Sequence, residues 1–377
     1  MSDPERGSLS IVVCTPRYAP QVGGAETWLR GVVSGLTGLR HRLLILGAAA
    51  GDAPLEWIDG VEVRRAASGR LAFARHVTAG IRAIRPDVVV SQYSATPFAV
   101  RGAHRAGAPA AAIVHDVHGL PESVRMKGAA TGTLRWLGLE RTMRLVRPDA
   151  FLANSTSTAR LLEPLAGGRS ITIVPPGADH LPPTAERDDE ERSGIVFVGR
   201  LVRRKGVADL IEAVRTLRVR GVDAKATVVG DGPEAASLRQ LARDLMGEVR
   251  FAGRVGDEEL AAAIRASAVL ALPSTREGWG LAITEAAARG TPYVAYDIPA
   301  VREQHDRLQG GLLVDPAPAS LANALERMLR DPTEARRLGE QGRAAAATMT
   351  WADAGQTVEG ALRDAIARFG RNRGRSS

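Results

Sequence analysis

The 377-residue chain is 45% hydrophobic and 24% charged, proportions that exclude a disordered or low-complexity polypeptide and leave room for two cores of ordinary size. Its net charge of +8 raises the question of nucleic acid. The excess is scattered arginine, aromatics make up only 4%, and no zinc spacing, RNA-binding signature or stacking platform accompanies it, so an anionic substrate or membrane surface is expected and a nucleic-acid partner is not.

Met1 to Ser10 carries acidic residues and no apolar run, and no later segment reaches the ~20 apolar residues that span a bilayer. The first predicted strand is Ser10–Cys14. It holds the single cysteine, Cys14, in an apolar run where a buried thiol in a reducing cytoplasm is expected. Strands follow at Arg42–Leu46, Val61–Arg64, Val88–Ser91, Ala111–Val114, Ala150–Ala153 and Ile171–Val174, with helices between them such as Ala25–Gly35 and Leu71–Ile84, the latter stopped at Arg85-Pro86. This alternation requires a parallel sheet wrapped by helices.

The character changes at Pro175-Pro176-Gly177 and through Pro182-Pro183 to the charge block Glu186–Arg192, as in a linker between cores. The pattern then begins again, with strands at Gly194–Val198, Ala224–Val229, Val249–Phe251, Val269–Leu272 and Tyr293–Ala295. Val207, Leu210, Ile211, Val214 and Leu217 form the apolar face of one helix among them. The expected organisation is an N-terminal Rossmann-like domain over 1–180, a linker over 181–193 and a C-terminal Rossmann-like domain over 194–377, whose last helix is a candidate to cross back. Two doubly wound α/β domains would then face each other across a cleft at the carboxyl ends of their strands.

The most informative stretch is Pro273-Ser274-Thr275-Arg276-Glu277-Gly278-Trp279-Gly280-Leu281-Ala282-Ile283-Thr284-Glu285-Ala286. It runs from a strand through a glycine-rich turn into a helix, so backbone amides of Gly278, Trp279, Gly280 and Leu281 are placed to meet an anion. Glu277 and Glu285 flank them as acceptors for sugar or ribose hydroxyls. The bland reading is one capping and one solvated glutamate. A second motif, Val198-Gly199-Arg200-Leu201-Val202-Arg203-Arg204-Lys205-Gly206, also joins a strand to a helix. Gly199 lets a ligand approach the backbone, and Arg200 with Lys205 can clamp a diphosphate. A solvated basic loop is the alternative.

Together these motifs resemble the family-4 glycosyltransferases of the GT-B fold, the large retaining group with paired glutamates eight positions apart. The likeness extends from Pro20-Gln21-Val22-Gly23-Gly24-Ala25-Glu26 to Gly311-Leu312-Leu313-Val314-Asp315-Pro316 and is more specific in the C-terminal half. The resemblance implies that Arg200 and Lys205 hold the donor diphosphate, Glu285 the ribose hydroxyls and Glu277 the transferred sugar. Trp279 replaces the more usual phenylalanine, a change at the sugar pocket. Gly23-Gly24 opens a helix where amides could meet phosphate or acceptor, with an ordinary turn as the alternative. His115, in Val114-His115-Asp116, resembles the family's histidine that bonds donor sugar or acceptor, with Asp116 orienting the ring. The nucleobase would lie near Gly230, Gly232, Arg254 and Val255, while Asn154-Ser155 is left unassigned because those residues also suit a helix cap.

The implied activity is retaining transfer of a sugar from a nucleoside-diphosphate sugar to an acceptor hydroxyl. The acceptor is a glycan, lipid or small molecule. No cofactor or metal is expected, because the chain lacks an Asp-x-Asp motif and Asp188-Asp189-Glu190 sits in the linker. A nucleotide-sugar epimerase of the same fold and a non-catalytic nucleotide-sugar-binding subunit remain alternatives. A nicotinamide enzyme is disfavoured: Gly230-Asp231-Gly232-Pro233-Glu234-Ala235 fits the dinucleotide fingerprint, but the next strand ends in Ala252-Gly253-Arg254 without the ribose-binding acid. Finally, Val124–Arg147 holds six cations against Glu140, with Trp136 and several leucines among them. It reads either as a packed helix with solvated arginines or as a basic helix resting on an anionic bilayer, which would put the protein in the cytoplasm, peripheral at the inner face of the membrane.

Overall fold

The computed structural model describes residues 7–20, 23–48, 54–67, 69–115, 145–182 and 192–374. The chain divides into two compact units, Met1–Pro176 with Trp351–Ser377, and Gly177–Thr350. The expected segment 124–147 falls outside the described residues except at its end, as do Gln21, Val22 and Asp116.

In the first unit the strands are β1 (Ser10–Thr15), β2 (Arg42–Gly47), β3 (Leu55–Ile58), β4 (Val61–Arg65), β5 (Val88–Gln92), β6 (Ala110–Val114), β7 (Ala150–Ala153) and β8 (Ser170–Ile173). Among the described residues they form one sheet in the order β3-β4-β2-β1-β5-β6-β7-β8, parallel throughout except for the β3–β4 hairpin. Alternate side chains explain why β1 is apolar along its length. Ile11 and Val13 pack with Trp28, Leu29 and Val32 of α1 (Gly24–Gly38). Val12 and Cys14 pack on the other face with Phe73 and Val77 of α2 (Arg70–Ile84) and with Ala99 and Val100 of α3 (Thr96–Ala106). A sheet covered on both faces needs such continuous runs. Cys14 is wholly buried, and burial pushes its thiol pKa up.

The hairpin escapes the sequence reading although its turn, Asp59-Gly60, has positive φ at both residues, the conformation of tight two-residue hairpins. The last helix crosses back, an option the sequence reading left open, while the second unit begins earlier than expected, at Gly177. The last helix packs within the first unit, where its residues Val358, Leu362 and Ala365 join the core of Ile11 and Val13. Conversely, Ala178 and Leu181 belong to a core of the second unit with Ile264 and Ala286, and Ala178 N–H donates to Met349 O at 2.7 Å. Proline and charge mark this stretch as a linker in the sequence, but apolar burial ties its first residues, Gly177 to Pro182, to the second unit.

The second unit holds β9 (Ile195–Val198), β10 (Ala226–Val229), β11 (Val249–Gly253), β12 (Val269–Leu272), β13 (Tyr293–Tyr296) and β14 (Gly311–Val314). Among the described residues they form a parallel sheet in the order β11-β10-β9-β12-β13-β14. Two cores lie on its faces. Ile195 and Phe197 pack with Leu210, Ile211 and Val214, and Val196 packs with Ile264 and Ile283. No helix of the described residues is long and apolar enough to cross a membrane.

The contact of α1 with the last helix leaves no space for a side chain at Gly31, where a Cβ would overlap the Trp351 ring, whereas Gly360 of the last helix faces open space. Alanine gains about 1 kcal/mol over glycine in an open helix interior, and overpacking costs about 1–3 kcal/mol. Gly360→Ala should therefore raise the melting temperature and Gly31→Ala should lower it, each by a few degrees in calorimetry. A rise in both would show that the two helices are not in this close contact.

Candidate active site

Parallel strands linked by crossover helices bring all their carboxyl ends to one edge of a sheet, and the loops there part where the strand order reverses. In the second unit that point lies between β9, whose chain continuation runs toward β10 and β11, and β12. The loop after β9 carries Gly199 to Gly206, and the loop after β12 carries Pro273 to Gly280. The two are fastened together. Thr275 N–H donates to Arg204 O at 2.9 Å, and Arg204 Nη1 donates to Arg276 O at 2.9 Å. Gly206, at φ +67°, runs so close to Pro273 O that no Cβ would fit.

Between these loops Lys205 Nζ donates to Glu277 Oε1 at 2.5 Å, and Arg204 Nη1 stands 3.6 Å from Glu277 Oε2. Both members of the first pair are largely buried, Glu277 at 6% side-chain exposure. Burial by itself would push the Glu277 carboxyl up. Lys205 and Arg204 outweigh it and hold the carboxyl below its ordinary value, so it is ionised at neutral pH. Arg200, from the same β9 loop, is exposed.

The short helix Leu281–Ala287 follows Gly280, which takes φ +106°, and no side chain caps its first amides. At seven residues its dipole is small, so the fixed cations provide most of the positive potential. Gly278 and Leu281 are half-buried in this turn. The Trp279 indole is only 3% exposed. Its Nε1–H donates to Thr284 Oγ1 at 2.9 Å, and the Arg307 guanidinium lies 5.7 Å from its ring centroid, so the indole supports the turn from inside. Glu285 is buried on the same helix, with Oε1 2.9 Å from His180 Nε2.

Gly230 and Gly232 lie directly against the backbone of the β9 loop. A Cβ at Gly230 would strike Gly199 O, and one at Gly232 would strike Leu201 O. Close packing of the β9 and β10 loops therefore accounts for the Gly-x-Gly spacing that fits a dinucleotide fingerprint. Arg254 is exposed and Val255 half-buried after β11, at the same edge of the sheet. Among the described residues no group of three or more His, Cys, Asp or Glu could hold a metal ion.

In the first unit the strand order reverses between β1 and β5, and a polar cluster sits at the carboxyl ends of these strands and β6. Thr15 Oγ1 donates to Gln92 Oε1 at 3.0 Å, and Gln92 Nε2 donates to His115 Nε2 at 2.7 Å. The Trp28 ring meets His115 edge-on, centroids 5.0 Å apart. Burial pushes the His115 pKa down to about 3, so the ring is neutral. Gly23 and Gly24 open α1, which has no side-chain cap. Gly23 is extended there, and nearby Glu26 is buried, its Oε1 without a hydrogen-bond partner among the described residues. Two residues missed by sequence reasoning thus matter: Gln92, which bonds His115 across 23 positions, and His180, which reaches Glu285 across 105. The first sits at a strand end, the one local sign available. The second follows a proline-glycine turn and carries no such mark.

Each unit gathers its own expected residues at one sheet edge: Gly199, Arg200, Lys205, Glu277, Gly278, Gly280, Leu281 and Glu285 in the second, and Gly23, Gly24 and His115 in the first. Residues 183–345 match the family described as glycosyl transferases group 1, and residues 22–180 match that described as glycosyltransferase family 4. A GDP-mannose-dependent alpha-(1-6)-phosphatidylinositol monomannoside mannosyltransferase of Mycobacterium tuberculosis is 28% identical over 362 residues, covering 88% of this chain and 92% of that protein. Among solved structures, a sucrose-phosphate synthase from Thermosynechococcus elongatus aligns with TM-score 0.80 at 21% identity, over 95% of this chain and 100% of that one. Anabaena HepE in complex with UDP-glucose aligns with TM-score 0.74 at 20% identity, over 94% and 100%. The two structural likenesses share the architecture of two parallel α/β units, and the two family matches together run through both of them. The chain belongs to the family-4 glycosyltransferases of the GT-B fold and is an enzyme of the glycosyltransferase type.

Proposed function

We propose that the enzyme moves a sugar from a nucleoside-diphosphate sugar to an acceptor hydroxyl, with retention of anomeric configuration and without a metal ion. The observation that carries this reading is the buried Lys205–Glu277 pair at the β9/β12 edge, with the exposed Arg200 on the same β9 loop and the second glutamate, Glu285, eight residues on. Lys205, Arg200 and the amides around Gly280 would take up the charge of the departing diphosphate. Glu277 would accept from hydroxyls of the transferred sugar, and Glu285 from the ribose. The bond from the anomeric carbon to the phosphate oxygen breaks as the bond to the acceptor oxygen forms. In the retaining case the freed phosphate oxygen takes the acceptor proton on the same face. His115, neutral in its buried site, suits a hydrogen-bonding role toward sugar or acceptor.

The mannosyltransferase relative is named for GDP-mannose and a lipid acceptor, and the HepE structure for UDP-glucose. For this chain we assign a nucleoside-diphosphate sugar as donor. We add that the arginine-rich stretch Val124–Arg147 would bring the enzyme to an anionic membrane at its cytoplasmic face, where a lipid acceptor is within reach.

Arg200→Ala should lower kcat/KM for the nucleotide sugar by about tenfold or more through lost diphosphate charge, with the melting temperature unchanged, because this side chain is exposed. Lys205→Ala should lose activity and stability together. It leaves the buried Glu277 carboxylate with Arg204, 3.6 Å away, in place of a cation in direct contact, and removing one partner of a buried pair costs about 3–5 kcal/mol. Normal kinetics in both variants would remove the assignment of this edge.

Thorough chelation with EDTA should leave the transfer rate unchanged. A strict requirement for added magnesium or manganese would instead show that the side-chain cations do not suffice.

Product stereochemistry separates the retaining case from an inverting one, in which His115 with Asp116 would have to act as general base. NMR of the anomeric coupling in freshly formed product should show the donor's configuration, and His115→Ala should slow transfer without changing it. An inverted linkage would overturn the mechanism proposed here.

A further inference from the structure

Glu285 does not stand alone in its pocket. His180, from the segment by which the chain enters the second unit, reaches it with Nε2 2.9 Å from Oε1, and both side chains are largely buried, at 14% and 9% exposure. A carboxylate oxygen only accepts, so the hydrogen between them belongs to His180. The segment is pinned to the same helix from a second side. Arg289 Nη2 donates to Pro182 O at 3.1 Å, and its Nη1 donates to Glu285 O at 3.1 Å. Ala178 and Leu181, on either side of this histidine, are buried in the core with Ala282 and Ala286 of the helix. His180 is therefore held by its neighbours in sequence and has little freedom to leave.

We propose that His180 is the positioning residue for the ribose-binding carboxylate: by holding Glu285 Oε1 it fixes the carboxylate plane and leaves Oε2 as the acceptor for a ribose hydroxyl. The proposal rests on the assignment of Glu285 to the ribose made above. It assigns a role in donor selection to a residue outside both sequence motifs. A long, rotatable glutamate would otherwise have to be ordered each time a nucleotide binds, and a carboxylate oriented in advance avoids that cost. The competing reading of the same contact is that His180 occupies the place of the ribose and must be displaced. The two predict opposite signs on removal of the imidazole.

The test uses the full chain, calorimetric titration with GDP and UDP, and the same titrations with 2′-deoxy-GDP and 2′-deoxy-UDP. The wild type should bind the better of the two ribonucleotides about tenfold or more tightly than its 2′-deoxy form, the effect of one lost hydrogen bond to a charged group. In His180→Ala that ratio should fall to within about threefold of unity through weaker binding of the ribonucleotide, while affinity for the deoxy form is retained. His180→Gln, which keeps an N–H donor at similar reach, should recover most of the ratio. Because the deoxy nucleotide is measured on the same protein, a general loss of folding lowers both affinities and is told apart from loss of selection. Glu285→Ala should also abolish the ratio. If it does and His180→Ala keeps the wild-type ratio, or binds the ribonucleotide more tightly than the wild type, positioning by His180 is overturned and the ribose assignment stands. If Glu285→Ala keeps the ratio, the ribose assignment itself falls.

Discussion

The second unit places a lysine and a glutamate where burial would expel either one alone, and each is tolerated because the other is there. Burying an unpaired carboxylate costs several kcal/mol, so Glu277 stays ionised inside the protein only with Lys205 at 2.5 Å and Arg204 behind it. Much of the local backbone is consistent with that requirement. The β9 and β12 loops are stitched by main-chain bonds, and Gly206 lets one loop lie directly against the other. Gly230 and Gly232 bring the neighbouring β10 loop in as closely, against Gly199 O and Leu201 O. A charge pair so supported is already in place without a ligand, the condition under which electrostatic stabilisation acts without reorganisation.

The first unit solves a different problem at the same kind of sheet edge. Its polar residues at the strand ends are mostly neutral: Thr15, Gln92 and His115 form a chain of hydrogen bonds beside the Trp28 ring. Burial of the imidazole in a low-dielectric surrounding pushes its pKa far down. The two sheet edges thus offer distinct chemistries, one ionic and one of uncharged donors and acceptors, although they come from the same architecture.

Where apolar runs coincide with buried strands, as at Ile11-Val12-Val13 or Val269-Leu270-Ala271-Leu272, the sequence reading and the structure agree to within a residue or two, because burial on both faces leaves no other pattern possible. The hairpin strand Leu55–Ile58 was not legible. Its side chains alternate between exposed and half-buried at the sheet edge, so composition says little, and only the Asp59-Gly60 turn marks it. The strand Gly311–Val314 is short and mostly half-buried, so its pattern does not stand out from the glycine and proline around it. Proline and charge mark a change of local character but do not fix the unit boundary, because membership of a core depends on contacts such as Ala178 with Met349, far away in sequence. The motif glutamates and the Arg200/Lys205 loop were legible from spacing. The supports of His115 and Glu285, respectively Gln92 and His180, are not, since neither bond can be inferred without knowing which strands and helices adjoin.

The return of residues 351–374 to the first unit sets an order for the chain's biosynthesis. The face of the first sheet carrying Ile11 and Val13 is completed by Val358, Leu362 and Ala365, which leave the ribosome only after the whole second unit has been made. At ordinary elongation rates the apolar surface waits roughly ten to forty seconds for its cover. During that interval the second unit, continuous in sequence from Gly177 to Thr350, can fold to completion, while the unit synthesised first cannot. The nascent chain therefore finishes from the middle outward, and an open apolar face of this kind, exposed for seconds beside a finished domain, is the sort of surface that chaperones at the ribosome engage.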